Sequence, residues 1–196
     1  MIDLSRAKLF NRRVHKNRFK AGLANVDTIR WLYKISAGTA DFRYGDAITE
    51  IQVFEVVFKN GQVVKRELMA IQKEIPYPIL FLSHGKSYFI VEGELLESDR
   101  QFIDGDMLLI ERRSAKLTEL YEDIAAAFIS IKRGEAESIA ELVARYKKLQ
   151  ELEKELAILQ RKVDTEKQPN KRIELNEELK RLKTERENLY IMLKSI

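Results

Sequence analysis

The sequence has no cysteine, which excludes a disulfide framework and any thiolate metal site. Its two histidines, His15 and His84, lie far apart and offer no paired zinc ligands. Glycine is sparse: Gly38 and Gly45 lack the spacing and the following Lys-Ser/Thr of a phosphate loop, and no Gly-x-Ser-x-Gly elbow presents a nucleophile. No apolar run approaches the roughly 20 residues needed to span a bilayer. The opening residues Met1-Ile2-Asp3-Leu4-Ser5-Arg6 do not lead into an apolar signal core. The expectation from these absences is a cytoplasmic protein with no membrane contact, no cofactor and no catalytic residues that the sequence can name.

What the chain does have is concentrated at its two ends. In the last third, Leu149, Leu152, Leu156, Leu159 and Val163 are answered by Leu175, Leu179, Leu182, Leu189 and Leu193 across Gln168-Pro169-Asn170. Both runs step by three and four, the apolar repeat of a coiled coil. Two arms of similar length joined by a short turn predict an antiparallel helical hairpin over 135–196. Ser138 and Glu141 have the spacing of a capping box at its start. Arg186 occupies a position where the repeat calls for an apolar side chain, which suits a device for register or partner choice. These leucines and Arg186 are the candidate surface for a protein partner or for a homodimer.

At the other end, residues 1–36 carry nine basic side chains against Asp3 and Asp27, in a chain of formal net charge +4. Arg6, Lys8, Arg12, Arg13, Lys16, Arg18 and Lys20 fall within 1–24, a basic segment expected to form a helix or two. Such an excess neutralises phosphates and gains affinity through counterion release; docking on an acidic protein surface accounts for it equally well. Trp31, Tyr33 and Phe42 follow closely and offer either stacking faces for bases or core packing.

The middle of the chain predicts an α+β core over 25–134, with a mixed or antiparallel sheet of about five strands. Ile29 to Ile35 reads as a strand, and Ile48 to Phe58 as the clearest one. Its alternation puts Glu50, Gln52, Phe54, Val56 and Phe58 on one face and Ile51, Val53, Glu55 and Val57 on the other. Neither face is wholly polar, so both should be covered. A helix over Val64 to Ile75, stopped by Pro76 and Pro78, precedes a hairpin of Ile79 to Leu82 with Ser87 to Val91 around His84-Gly85. One more strand follows at Met107 to Ile110, then a covering helix from Leu117 to Ile131 that Gly134 ends.

The order strand, turn, helix, strand around Glu50 raises a second reading. Nucleases of the restriction-endonuclease superfamily hold a divalent cation between a carboxylate at a strand entrance and an acidic-x-Lys pair, because phosphodiester cleavage needs a cation to polarise the phosphate and activate water. Asp41 or Asp46 would be the first carboxylate and Glu50-Ile51-Gln52 the pair. The lysine is replaced by Gln52, and the favoured reading has no metal.

Lys8-Leu-Phe-Asn-Arg, Trp31-Leu-Tyr-Lys-Ile-Ser, Glu50-Ile-Gln-Val-Phe-Glu, Ile75-Pro-Tyr-Pro-Ile-Leu-Phe and Glu166-Lys-Gln-Pro-Asn-Lys-Arg-Ile-Glu-Leu-Asn together resemble an uncharacterised prokaryotic family, domain of unknown function 4391. The resemblance covers nearly the whole chain, although the position of Pro169 is more often aromatic in that family. Members are often encoded beside helicases and DNA methyltransferases in restriction or phage-defence clusters. The resemblance therefore implies an accessory, non-enzymatic subunit whose partner is a helicase or methyltransferase of the same system. It carries over no catalytic residue.

Overall fold

The β-branched and aromatic residues of Glu50 to Phe58, apolar on both faces, produce the long central strand β4 (Glu50–Phe58), buried along most of its length. The computed structural model describes residues 1–45 and 47–191. Before β4 come β1 (Ile2–Asp3), β2 (Lys8–Arg13) and β3 (Val26–Ser36); after it come α1 (Lys65–Glu74), β5 (Ile79–Ser83), β6 (Lys86–Val91), β7 (Glu94–Ser98), β8 (Ile103–Asp104) and β9 (Met107–Leu108). Three helices complete the chain, α2 (Leu117–Phe128), α3 (Ile139–Thr165) and α4 (Pro169–Ile191). Two compact units result: Met1–Phe128, and the residues from Ile129 onward.

In the first unit β2 to β7 lie side by side in chain order as a six-stranded sheet, while β1, β9 and β8 make a small second sheet. Every pair in the large sheet is antiparallel except β4 with β5, which α1 connects as a crossover. The architecture is α+β with a mixed sheet. Both faces of β4 are used, as its residue pattern requires. Leu68 and Ile71 of α1 join Phe54, Phe58, Ile79 and Phe81 in one apolar cluster. On the opposite face Phe89 of β6 meets Tyr121 and Phe128 of α2, with ring centroids 5.4 Å and 6.0 Å away.

Several expectations need correction. Residues 1–24 are not helical beyond two single 3₁₀ turns: they form β1 and β2, and β2 is an edge of the large sheet. The pairing explains why no pattern announced it. Lys8 lies opposite Tyr33 and Arg12 opposite Trp31, with a register shift between them, so the strand's alternation is broken and its order comes from the longer β3 beside it. The large sheet has six strands and not five: β2 and β7 join it, the latter following β6 through Glu92-Gly93, while the strand expected at Met107 to Ile110 is the short β9 of the small sheet. Both Glu92 and Gly93 have positive φ, 51° and 76°, the backbone of a tight hairpin turn. Helix α2 stops at Phe128, before Gly134.

A contact with no sequence signature fixes α1. Glu67, only 3% exposed, accepts hydrogen bonds from the Asn25 backbone N–H (3.2 Å), the Asn25 side-chain amide (2.7 Å) and the Val26 N–H (3.1 Å). It closes backbone donors at the start of β3, which would otherwise lack partners.

In the second unit the Ser138 hydroxyl accepts from the Glu141 N–H while the Glu141 carboxylate accepts from the Ser138 N–H, the reciprocal cap expected at the start of α3. Pro169 is the first residue of α4, where its missing N–H costs nothing. Leu152, Leu156, Leu159, Val163, Leu179 and Leu182 form one buried cluster with Leu175 and Leu189 against it. Arg145 grips Glu137 with two bonds of 2.7 Å and 2.8 Å and donates to the Leu189 carbonyl at 3.1 Å. Lys148 pairs with Glu185 at 2.9 Å.

Candidate functional site

The seven amino-terminal cations are held by β2 and the turns beside it, and they are not equivalent. Lys8 is spent on Asp106, 2.7 Å from its Oδ1. Lys16 donates to the Val26 carbonyl at 2.7 Å. The Arg12 guanidinium lies 4.8 Å from the centroid of the Trp31 ring, a cation–π arrangement that keeps its charge at the surface. The side chains of Arg6, Arg13, Arg18 and Lys20 are exposed or half-exposed and form no ion pair among the described residues.

The three aromatic residues near them separate as well. Tyr33 is buried, and its hydroxyl donates to Asp106 at 2.8 Å. Burial and that carboxylate push the phenol up to about 12. The bonds from Lys8 and Tyr33 hold Asp106 below the usual carboxylate range. Phe42 is buried beneath Arg112, 4.8 Å away. Trp31 alone remains half-buried. It stacks obliquely on Phe54 at 5.9 Å and lines a pocket of about 270 Å³ with Arg18, Gln52, Phe54, Glu74 and Tyr77. The pairing Arg12–Trp31–Phe54–Phe81 runs across four neighbouring strands and puts this pocket on the α1 face of the sheet. Sequence reasoning named Trp31 but not the pocket, whose walls come from the Val14–Phe19 segment, β3, β4, the end of α1 and the Ile75–Tyr77 turn after it.

Glu50 is buried at the start of β4. Its Oε1 accepts from Gln52 Nε2 at 2.5 Å, and its Oε2 lies 2.9 Å from Lys34 Nζ of β3. A lysine absent at position 52 thus arrives beside the carboxylate from the neighbouring strand, where Lys34 is the cross-strand partner of Gln52. Asp41 lies in the loop between β3 and β4 with a φ of 47°, and Asp46 falls outside the described residues. Among the described residues no three carboxylate or imidazole side chains gather closely enough to hold a metal ion. His84 accepts the Phe58 N–H at 3.0 Å within its hairpin turn.

Of the candidate partner-binding residues, Leu149, Leu152, Leu156, Leu159, Leu179 and Leu182 are buried, and Leu175 and Leu189 are packed partly buried against their cluster. Arg186 is half-buried. Leu193 lies outside the described residues. No helix among the described residues is long and apolar enough to cross a membrane.

An α+β sheet unit with a basic edge strand and an added pair of long helices is the class of protein these features define. The chain belongs to the family described as Domain of unknown function (DUF4391), whose model matches residues 4–96 and 96–185. No curated protein and no solved structure matches it.

Proposed function

We propose that the protein is a non-enzymatic accessory subunit of a DNA-processing or phage-defence complex of the restriction type. In this reading it contacts nucleic acid through the basic edge of the sheet and docks a protein partner, a helicase or methyltransferase of the same system, through α3 and α4 as an antiparallel coiled coil. One observation carries the nucleic-acid part: Arg13, Arg18 and Lys20 are exposed and form no ion pair among the described residues, and Arg18 lines the same pocket as the half-buried Trp31. Cations already neutralised within the protein would have little charge to offer a phosphate. The leucines of α3 and α4 are occupied with one another, so a partner meets the outer faces, where Ile158 and Ile173 are exposed.

The expected result for the triple variant Arg13→Ala, Arg18→Ala, Lys20→Ala is weaker binding of single-stranded DNA with a flatter dependence on salt. Each lost phosphate contact takes about 0.7 from the slope of log K against log salt concentration for a single strand. Filter binding over a salt series measures it, and an unchanged slope would remove these residues from the interface.

A second reading, a metal-dependent or degenerate nuclease, is favoured by Lys34 beside Glu50. Against it, both Glu50 oxygens already have protein partners, so a cation would have to displace Lys34 or Gln52. Purified protein with magnesium or manganese is therefore expected to leave single- and double-stranded DNA intact. Cleavage that Glu50→Gln abolishes without loss of fold would replace the accessory role with an enzymatic one.

A further inference from the structure

We propose that the Trp31 pocket takes one unstacked nucleobase of a single strand, of the kind that carries an exocyclic amino group; this rests on the nucleic-acid reading above and assigns it a site. Pockets for drug-sized ligands run from about 300 to 1,000 Å³, and this one, at about 270 Å³, suits a single ring system. Its walls include Trp31 and Tyr77, flat apolar surfaces of the type on which bases stack, over the buried Phe54. Besides Arg18, two of its polar side chains, Gln52 and Glu74, offer acceptors. Gln52 is 5% exposed and lines the pocket, and one N–H of its amide is committed to Glu50. Its side-chain oxygen accepts none of the hydrogen bonds found among the described residues and is left for a donor from outside. Glu74 uses one carboxylate oxygen for the Ala21 N–H at 3.2 Å, and the other adds a second acceptor. The amino groups of cytosine, adenine and guanine supply the matching donors; thymine has no amino group, and its single N3–H lies between two carbonyl oxygens that a pair of acceptors would repel.

The charge around the pocket fits the remainder of a nucleotide. Arg18 lines the pocket itself, and Arg12 stands over the Trp31 ring, so phosphates on either side of an inserted base would meet guanidinium groups. A free anion without a ring would use the arginines and leave the aromatic walls of the pocket without a partner. A ring without a phosphate would lose the electrostatic share of the affinity.

Trp31 is the only tryptophan in the sequence, so its fluorescence reports this pocket alone. The test pairs that signal with the anisotropy of end-labelled strands, for short oligodeoxycytidylate, oligothymidylate and an abasic strand of equal length. Expected are saturable quenching of Trp31 by oligodeoxycytidylate, at a concentration several-fold lower than for oligothymidylate, and none by the abasic strand even where anisotropy records its binding. Tyr77→Ala should weaken the oligodeoxycytidylate strand about tenfold, the scale of one lost stacking contact, and leave the abasic strand unaffected. If the strands bind by anisotropy and Trp31 does not respond, the pocket assignment fails while the nucleic-acid reading stands. Equal quenching by the abasic strand, or equal affinity for thymidylate, also overturns it. If no strand binds even at low salt, both fall.

Discussion

Glu67→Ala is expected to destabilise the sheet unit by about 3 kcal/mol, a large share of what a domain of this size has in reserve. The carboxylate receives three donors from Asn25 and Val26 while itself buried. Hydrogen bonds to a charged group are each worth about 1.5 to 3 kcal/mol, and truncation strands the Val26 N–H in the core. Glu67→Gln retains one acceptor oxygen and should lose about half as much. Urea unfolding followed by Trp31 fluorescence reads the sheet unit selectively, since that unit holds the only tryptophan. Equal midpoints for the alanine variant and the parent protein would mean that α1 is anchored by its apolar face alone.

The second large effect belongs to the other unit. Leu159→Asp with Leu182→Asp is expected to abolish the folded pairing of α3 and α4, because both side chains belong to the apolar cluster that the two helices share. Removing a buried leucine costs about 2 to 5 kcal/mol before any charge is considered. Each aspartate adds a desolvation penalty of several kcal/mol. The helices cannot compensate through propensity alone, since isolated helices draw most of their stability from packing. Far-ultraviolet circular dichroism should lose much of its helical signal while the urea midpoint of Trp31 stays where it was. Retained helicity would show that the leucine cluster is not what holds these helices, and pull-down of a partner by the variant would remove the docking role proposed for them.

The readable and the unreadable parts of this fold differ by the range of the interactions involved. Ser138 and Glu141 are three residues apart, and their cap follows from local geometry. The leucines of α3 and α4 repeat at the helical period, and β4 alternates at the strand period, so burial of these faces could be read directly. Strand β2 could not: Asn11 and the register shift between Lys8 and Arg12 break its pattern, and it is ordered by pairing with β3. Glu67 and Asn25 are 41 to 42 positions from their contacts, and nothing local marks a buried carboxylate as an anchor rather than a surface charge. The same holds for the site. The cations and Trp31 were visible as residue types. Which cations are neutralised, that Lys34 stands at Glu50, and that Gln52 lines a pocket all depend on which strand lies next to which.

The position of β2 at the rim of the sheet has a consequence that needs no ligand. An edge strand presents a row of backbone donors and acceptors that another chain can extend, the first step of sheet-to-sheet aggregation. Here that rim carries Arg12 and Arg13, and its register shift disturbs the regular spacing a new strand would have to match. A second copy approaching in parallel or antiparallel register would bring its own cations against these. Like charges thus keep the molecules apart at the place where hydrogen bonding would otherwise join them, and the positive rim protects solubility whatever else it meets.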